Sequence, residues 1–368
     1  MKKFLTFALM AMIAMSAAGA KKKEPAKNQN KPVFTTIKAN PITSIKDQNR
    51  SGTCWDYSTL SFFEAEILKA TGKKYTLCEA FVANKTYMER AIQVVRYHGD
   101  CQFAQGGSAE DVLHTLKTWG ICPINAMPFP GSLYGDSLNN FNEFFSILEP
   151  YVAAIAKSDA KKISNAWKTG MQGILDAYLG KCPEKFTFEG KEYTPKSFMA
   201  SLGIDLNDYV SLTSFTHHPF DEWFVIEAPY KWRPRPSYNI PLGEMMNTID
   251  EALARGYNVA WGGDVSGNGF SRQGTAALAD SLHLKVTQEQ RQQLFDQWDA
   301  TYDHVMLIYG TAKDKDGNDY YMVKNSWGKT GDYDGTWYMS KEYIALYTTY
   351  IFVNRHALAD KLRQRMGR

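Results

Sequence analysis

Residues 303–328, DHVMLIYGTAKDKDGNDYYMVKNSWG, constrain the fold more than any other stretch of this chain. Two runs rich in β-branched and aromatic residues flank Asp316-Gly317, a pair that strongly marks a tight antiparallel turn. Folding the runs back on one another sets His304, which begins the first, beside Asn325, which ends the second, although twenty-one positions separate them. The Asn carbonyl can accept from one imidazole nitrogen and leave the other free to hold a proton. Trp327 can roof that hydrogen bond and keep water away. Taken singly, a His or an Asn near a turn often does no more than satisfy backbone groups.

A thiol stands far upstream in DQNRSGTCWDYSTLSFFEAEILKATG, residues 47–72. From Trp55 to Leu68 the apolar positions keep roughly helical spacing, Ser51 and Thr53 can cap the start, and Thr71-Gly72 ends it. Cys54 therefore sits in the first turn, where unpaired N–H groups and aligned peptide dipoles favour a thiolate. The competing expectation is a packing residue, because free cysteine is among the most buried residue types. Gln48, six positions earlier, can set its side-chain amide beside the backbone N–H of Cys54, and two such donors form an oxyanion hole for a carbonyl-centred intermediate.

Helical patterns follow at about 78–97 and 109–119, the latter with Ser108 as cap and Gly120 as terminator, and again through residues 139–180. Over 185–240 the pattern changes to short aromatic and β-branched runs broken by Pro and His. A helix through GEMMNTIDEALARG feeds a strand in YNVAWGGDV, and GTWYMS and TTYIFVN extend a sheet built on the hairpin. Helices in front and antiparallel strands behind describe an α+β chain with two lobes.

The first twenty residues combine a short basic start, an apolar run too short to span a bilayer comfortably, and Ala18-Gly19-Ala20, the pattern of an export leader cut after Ala20. Residues 21–38 read as a flexible linker, polar and proline-containing at their start. The net charge of +3 includes two lysines of that leader, so the mature chain is nearly neutral and nucleic-acid binding is not expected. After leader removal the chain has no further membrane segment. An exported chain meets an oxidising compartment, and five cysteines leave at least one thiol over. Cys78, Cys101, Cys122 and Cys182 form two bridges or stay as buried thiols. Neither a metal nor a cofactor is expected, since no Cys-x-x-Cys pair or clustered Cys/His set occurs.

In this order, DQNRSGTCW, DHVMLIYG and KNSWG resemble a papain-superfamily cysteine peptidase, and more closely its bleomycin hydrolase and aminopeptidase C branch. Ser-Gly-x-Cys-Trp with Gln at minus six meets the branch form, whereas the Cys-Gly-Ser/Ala-Cys of papain itself is not met. From Cys54 to His304 there are 250 positions, well beyond the roughly 130–150 of papain, so large insertions lie in the middle of the chain. The resemblance spans residues 40 to 354. It implies a papain-like two-lobed fold over 39–368: a helical lobe at about 54–180, inserted segments at about 130–240, a β lobe at about 258–354, and a short basic tail at 355–368. By position it implies Cys54 as nucleophile, His304 as general base and acid, Asn325 as the orienting residue and Gln48 as oxyanion donor. Gly106-Gly107 resembles the glycine pair whose second backbone pairs with bound peptide, and Trp327 lines the same cleft.

What the resemblance implies about function is hydrolysis of peptide bonds through a thioester, as an aminopeptidase of bleomycin hydrolase type, with peptide substrates and a hexameric ring. Two features depart from it. The branch is generally cytosolic, whereas this chain carries a leader for the periplasm or exterior. The branch also has a C-terminal arm that limits cleavage to peptide N-termini, while RHALADKLRQRMGR is short, basic and helix-forming. An open cleft with endopeptidase action is therefore the rival within the class. A catalytically silent peptide-binding homologue is the rival outside it, disfavoured because binding alone requires no His–Asn pair. An acyltransferase would be expected to complete its triad with Asp. Asp303, beside the presumed base, either favours a protonated imidazole or only faces solvent.

Overall fold

In the computed structural model, which describes residues 31–127, 139–278 and 285–367, the hairpin closes as its turn residues dictate. Gly317 takes φ +86°, and Asp314 Oδ1 accepts from the backbone N–H groups of Asp316 and Asn318, each at 2.9 Å. Strands His304–Asp314 and Asp319–Lys324 then pair antiparallel. The pairing that leaves the turn, Thr311 opposite Tyr321, would put Asn325 opposite Leu307 and thus on the other face of the sheet from His304. A bulge between Ile308 and Gly310 shifts the register by one, so that Leu307 opposes Lys324. Continued one step, Asn325 falls opposite Met306, two positions from His304 and on its face. Bulges act in this way next to sites, re-aiming a side chain at the cost of one ladder position.

The long strand also pairs with Val259–Gly263 along its first half and with Phe34–Ala39 along its last. Around it lies an eleven-stranded, mostly antiparallel sheet. This extends the expected β lobe of 258–354 in two ways. Phe34–Ala39 is a strand, so the expected linker of 21–38 ends before it. The inserted segments contribute Tyr209–Thr213, Trp223–Phe224 and Ser237–Asn239, the first of which pairs with Thr348–Asn354. The expected helical run of 139–180 is two helices, Asn142–Ala156 and Ala166–Leu179. Gln288–Asp296 and Lys341–Tyr347, not read from the sequence, are helical as well.

Alternation along the long strand divides the interior into two cores. Val305 and Leu307 face a cluster with Trp55, Phe62, Phe63, Tyr87 and Phe144 among the helices, while Met306 and Ile308 face one with Trp261, Trp337, Ile249 and Tyr343 behind the sheet. Helix Cys54–Thr71 crosses the first face and is buried over all but its last turn. That is why its sequence carries polar residues on every side: they are partners, not a solvent face. Ser58 Oγ donates to Val305 O at 2.6 Å. Glu64 accepts from Thr43 Oγ1, Lys46 Nζ and the backbone N–H of Leu77, at 2.6, 2.6 and 2.9 Å. Glu66 accepts from Asn354 Nδ2 at 2.6 Å. The helix start is thereby held against the strand that carries His304.

The tail forms a short helix, Asp360–Arg365, whose Leu362 is buried in the core behind the sheet. Arg365 binds Asp221 and Glu244, at 2.8 and 2.5 Å. The leader of residues 1–20 and its cut site lie outside the described residues. Among the described residues, no helix is long and apolar enough to cross a membrane.

Candidate active site

A cleft of about 660 Å³ is lined by Gln48, Cys54, Gly106, Gly107, His304 and Trp327 among others. It gathers the expected site residues that face open space, and Asn325 stands directly behind them. His304 Nε2 and Asn325 Oδ1 are 2.9 Å apart. The backbone N–H of Ser326 donates to the same Oδ1 at 2.8 Å, which fixes the carboxamide orientation. Nε2 must therefore carry the hydrogen, and Nδ1 is the nitrogen left with a lone pair. Trp327 covers the imidazole with ring centroids 4.8 Å apart, and Arg272 lies over the other part of that indole, 5.2 Å from its centroid. Nδ2 of Asn325 is buried without a hydrogen-bond partner among the described residues.

Gln48 is fixed from both ends. Its Oε1 accepts from Ser326 Oγ at 2.6 Å and its Nε2 donates to Ser51 O at 2.6 Å. Because a carbonyl only accepts, the amide orientation follows, and the second Nε2 hydrogen is left for the cleft. Ser326 thus serves both Asn325 and Gln48. Sequence reasoning passed over it, although its place between Asn325 and Trp327 was the available signal. The backbone N–H of Cys54 is one of the unpaired donors of a helix start.

Electrostatics corrects one expectation. Burial pushes the Cys54 thiol up to about 12, outweighing the opposing effect of the backbone N–H groups of Val305, Trp55 and Cys54 itself, and the charge of Asp303 raises it further. Burial likewise lowers His304 to about 4, against the raising effect of the Asn325 hydrogen bond, with Arg272 lowering it too. The helix start does favour a thiolate, but desolvation is larger. Desolvation thus disfavours the charged form of both groups, and Asp303, which faces solvent with its carboxylate accepting from the Val265 N–H at 2.9 Å, adds to this at the thiol.

Gly106 and Gly107 lie on the cleft rim, where each carbonyl accepts one hydrogen bond from within. Arg90 donates to Gly106 O, and Tyr302 Oη donates to Gly107 O at 2.5 Å. Their lack of side chains is a packing requirement. A Cβ on Gly106 would stand 2.6 Å from the Tyr230 ring, and one on Gly107 would stand 2.8 Å from the Trp55 indole. The Gly107 carbonyl thus already accepts one hydrogen bond from within the protein, and its second lone pair is left for a bound peptide. Tyr230 and Tyr302, both lining the cleft, escaped sequence reasoning.

All five cysteines are free thiols, so of the two alternatives left open for Cys78, Cys101, Cys122 and Cys182 the structure has the unbridged one. Cys78 and Cys122 face each other, with the N–H of Cys78 bonded to Cys122 O at 3.1 Å. Among the described residues one cluster brings three metal-capable side chains together, His217, His218 and Glu227. Gln292 accepts from the Thr216 N–H through Oε1 and donates through Nε2 to His217 Nδ1, at 2.6 and 3.0 Å. That leaves the His217 hydrogen on Nε2, directed at Glu227, 3.1 Å away. The cluster is satisfied as a hydrogen-bonded group.

The chain is 24% identical over 363 residues to aminopeptidase G of Lactobacillus delbrueckii subsp. lactis, covering 86% of this chain and 82% of the relative. It is 23% identical over 398 residues to aminopeptidase C of Lactobacillus helveticus, covering 90% and 85%. A crystal structure of PepW from Lactobacillus rhamnosis HN001 superposes with a TM-score of 0.71 at 20% identity, over 90% of this chain and 84% of that one, which shows the same fold. A family model described as Peptidase C1-like family matches residues 85–368. With more than three quarters of its length under that match, and a papain-like α+β fold around a Cys, His and Asn site, the chain belongs to the Peptidase C1-like family of cysteine peptidases.

Proposed function

We propose that this protein is a thiol aminopeptidase in which Cys54 attacks the carbonyl carbon of a peptide bond. The observation that carries the reading is the commitment of His304 Nε2 to Asn325, which leaves Nδ1 as a base beside the cavity that Cys54 lines. In the first step Sγ bonds to the carbonyl carbon while its proton passes to Nδ1, so the imidazole becomes positive only as the new bond forms, and the negative charge develops on the carbonyl oxygen. The oxyanion accepts from the Cys54 N–H and the free Nε2 hydrogen of Gln48. Nδ1 then returns its proton to the amine nitrogen, the C–N bond breaks, and a thioester stays on Cys54. Water, deprotonated by the same Nδ1, releases the acid by the reverse sequence.

Aminopeptidase action is supported by the names of the relatives. Endopeptidase action is favoured by a different observation: the tail helix is bonded to Asp221 and Glu244, and the described cleft lining includes no tail residue. Comparing one fluorogenic peptide with a free and an acetylated N-terminus separates the two, and equal turnover of both would sink the aminopeptidase reading. A silent peptide-binding homologue predicts no turnover of either. The leader supports export, for which the expected mature N-terminus, read by N-terminal sequencing, is Lys21. A homo-oligomer enters only through the family resemblance, and light scattering measures it.

A further inference from the structure

The cleft has two ends, and the segment that leads into the nucleophile runs from one to the other. At the first, Asp47 bridges Trp327 and the N–H of Gln48 donates to Ser326 O at 2.8 Å. At the second, the N–H of Gly52 donates to Gln105 Oε1 at 2.6 Å, and Trp55 Nε1 donates to Gln105 O at 2.9 Å. The leaving amine must reach His304, which lies under Trp327, so the acyl part of a substrate points to the other end, toward residues 105–107.

An extended peptide holds itself in a groove by pairing its backbone with free rim carbonyls and N–H groups, and further residues need open space beyond. Each rim carbonyl at this end already accepts one hydrogen bond from within, from Arg90 and Tyr302, and keeps a single lone pair, so exclusion here depends on the rings that occupy the space beyond. The Tyr230 ring is packed against Gly106, and the Tyr230 and Tyr302 rings meet edge to face at 6.5 Å. Tyr302 is buried and braced by Tyr350, with their hydroxyls 3.2 Å apart.

Tyr230 is half-buried but its segment is clamped on the C-terminal side. The buried Lys231 ammonium binds Glu110 at 2.7 Å, and Arg233 binds Glu89 and Asp111 at 2.6 and 3.1 Å. Gln93 Nε2 donates to Trp232 O at 2.8 Å. A blocking wall is useful only if it does not yield, and three consecutive residues held in this way, Lys231 to Arg233, make a rigid one.

We propose that Tyr302 and Tyr230 are the specificity residues that close the acyl end of the cleft, so that one residue fits before the scissile bond and the substrate must begin there. The stop is built from the inserted segment and the approach to His304, apart from the tail helix that docks on Asp221 and Glu244. This inference rests on the aminopeptidase reading and names what enforces it.

The test is the ratio of kcat/KM on N-acetylated dipeptide amides to kcat/KM on the matching free amino-acid amides, measured in the full mature protein. Tyr302→Phe keeps the ring and should leave the ratio unchanged, whereas Tyr302→Val combined with Tyr230→Ala removes both rings and should raise it about tenfold or more, the worth of at least one added backbone hydrogen bond. A purely structural role would lower both rates together and leave the ratio still. If the wild type prefers the free amine and the double variant does not move the ratio, the tyrosine stop is wrong while the aminopeptidase reading stands. If the wild type takes both substrates equally, both ideas fail and thiol hydrolysis survives. If it takes neither, the peptidase reading itself has failed.

Discussion

The two ends of the cleft are made of different materials. The Trp327 end is a polar relay, in which Ser326 orients Asn325 and Gln48; Asn325 holds His304 so that Nδ1 is left over, and Gln48 keeps one Nε2 hydrogen. The Gly106–Gly107 end has its carbonyls tied back by Arg90 and Tyr302 and is walled by the Tyr230 and Tyr302 rings. Chemistry needs donors and acceptors that are positioned but unspent, whereas exclusion needs bulk held rigidly in place. The difference also separates rate from specificity, because substitutions at the first end should change turnover and those at the second should change which peptide is turned over.

The sharpest way to break that division is to remove the nucleophile or the base. Cys54→Ala and His304→Ala should each lower kcat by roughly a millionfold, as members of a unit that acts together. Turnover of peptide amides that survives either change would refute the assigned chemistry. Gln48→Ala should lower kcat by about a hundred- to a thousandfold, the usual loss for one oxyanion donor. Because that amide also bridges Ser326 and Ser51, a thermal melt should accompany the kinetics. The acetylated-to-free ratio should not move in any of these variants, and a shift would show that the two ends are not independent.

Acidity gives a milder probe. The base is active when His304 is neutral, and burial holds its pKa down to about 4. The basic form therefore persists as pH falls from 7 to 5 and is lost as pH passes through about 4. With the thiol held up to about 12, kcat/KM should be flat between about pH 5 and 9. An acid limb centred near 6.5, the ordinary imidazole value, would show that His304 is better solvated than its burial implies. The smallest effect belongs to the tail. Arg365→Ala removes a part-exposed network and should cost below about 1 kcal/mol of stability, without altering the acetylated-to-free ratio. A change in that ratio would return the specificity role to the C-terminus.

Much of this site was legible in the residues. Asp316-Gly317 announced the hairpin, and with it the approach of His304 to Asn325. Ser108 and Gly120 bounded a helix that the structure places at Ala109–Trp119. The stretch near 230 reads as a short aromatic run broken by proline, in which nothing distinguishes Tyr230 from its neighbours. Its meaning depends on Gly106, more than a hundred positions away. The tail was seen to lack an arm, and its docking on Asp221 and Glu244 could not be read from its own basic residues.

What the sequence determined by itself is the set of reacting groups and their local settings: a thiol at a helix start, a His–Asn pair across a turn, an amide six residues before the thiol. Those follow from short-range rules, since turns, caps and helix dipoles act over a few residues. Tertiary structure decided three further matters. The bulge between Ile308 and Gly310 set the register that puts His304 and Asn325 on one face. Burial by the two lobes made desolvation larger than the helix-start effect, which disfavours the charged form of both groups. Contacts between distant segments brought Tyr302 onto Gly107 and Tyr230 onto Gly106. Register, desolvation and shape are sums over neighbours contributed by the whole chain, so no local stretch carries them.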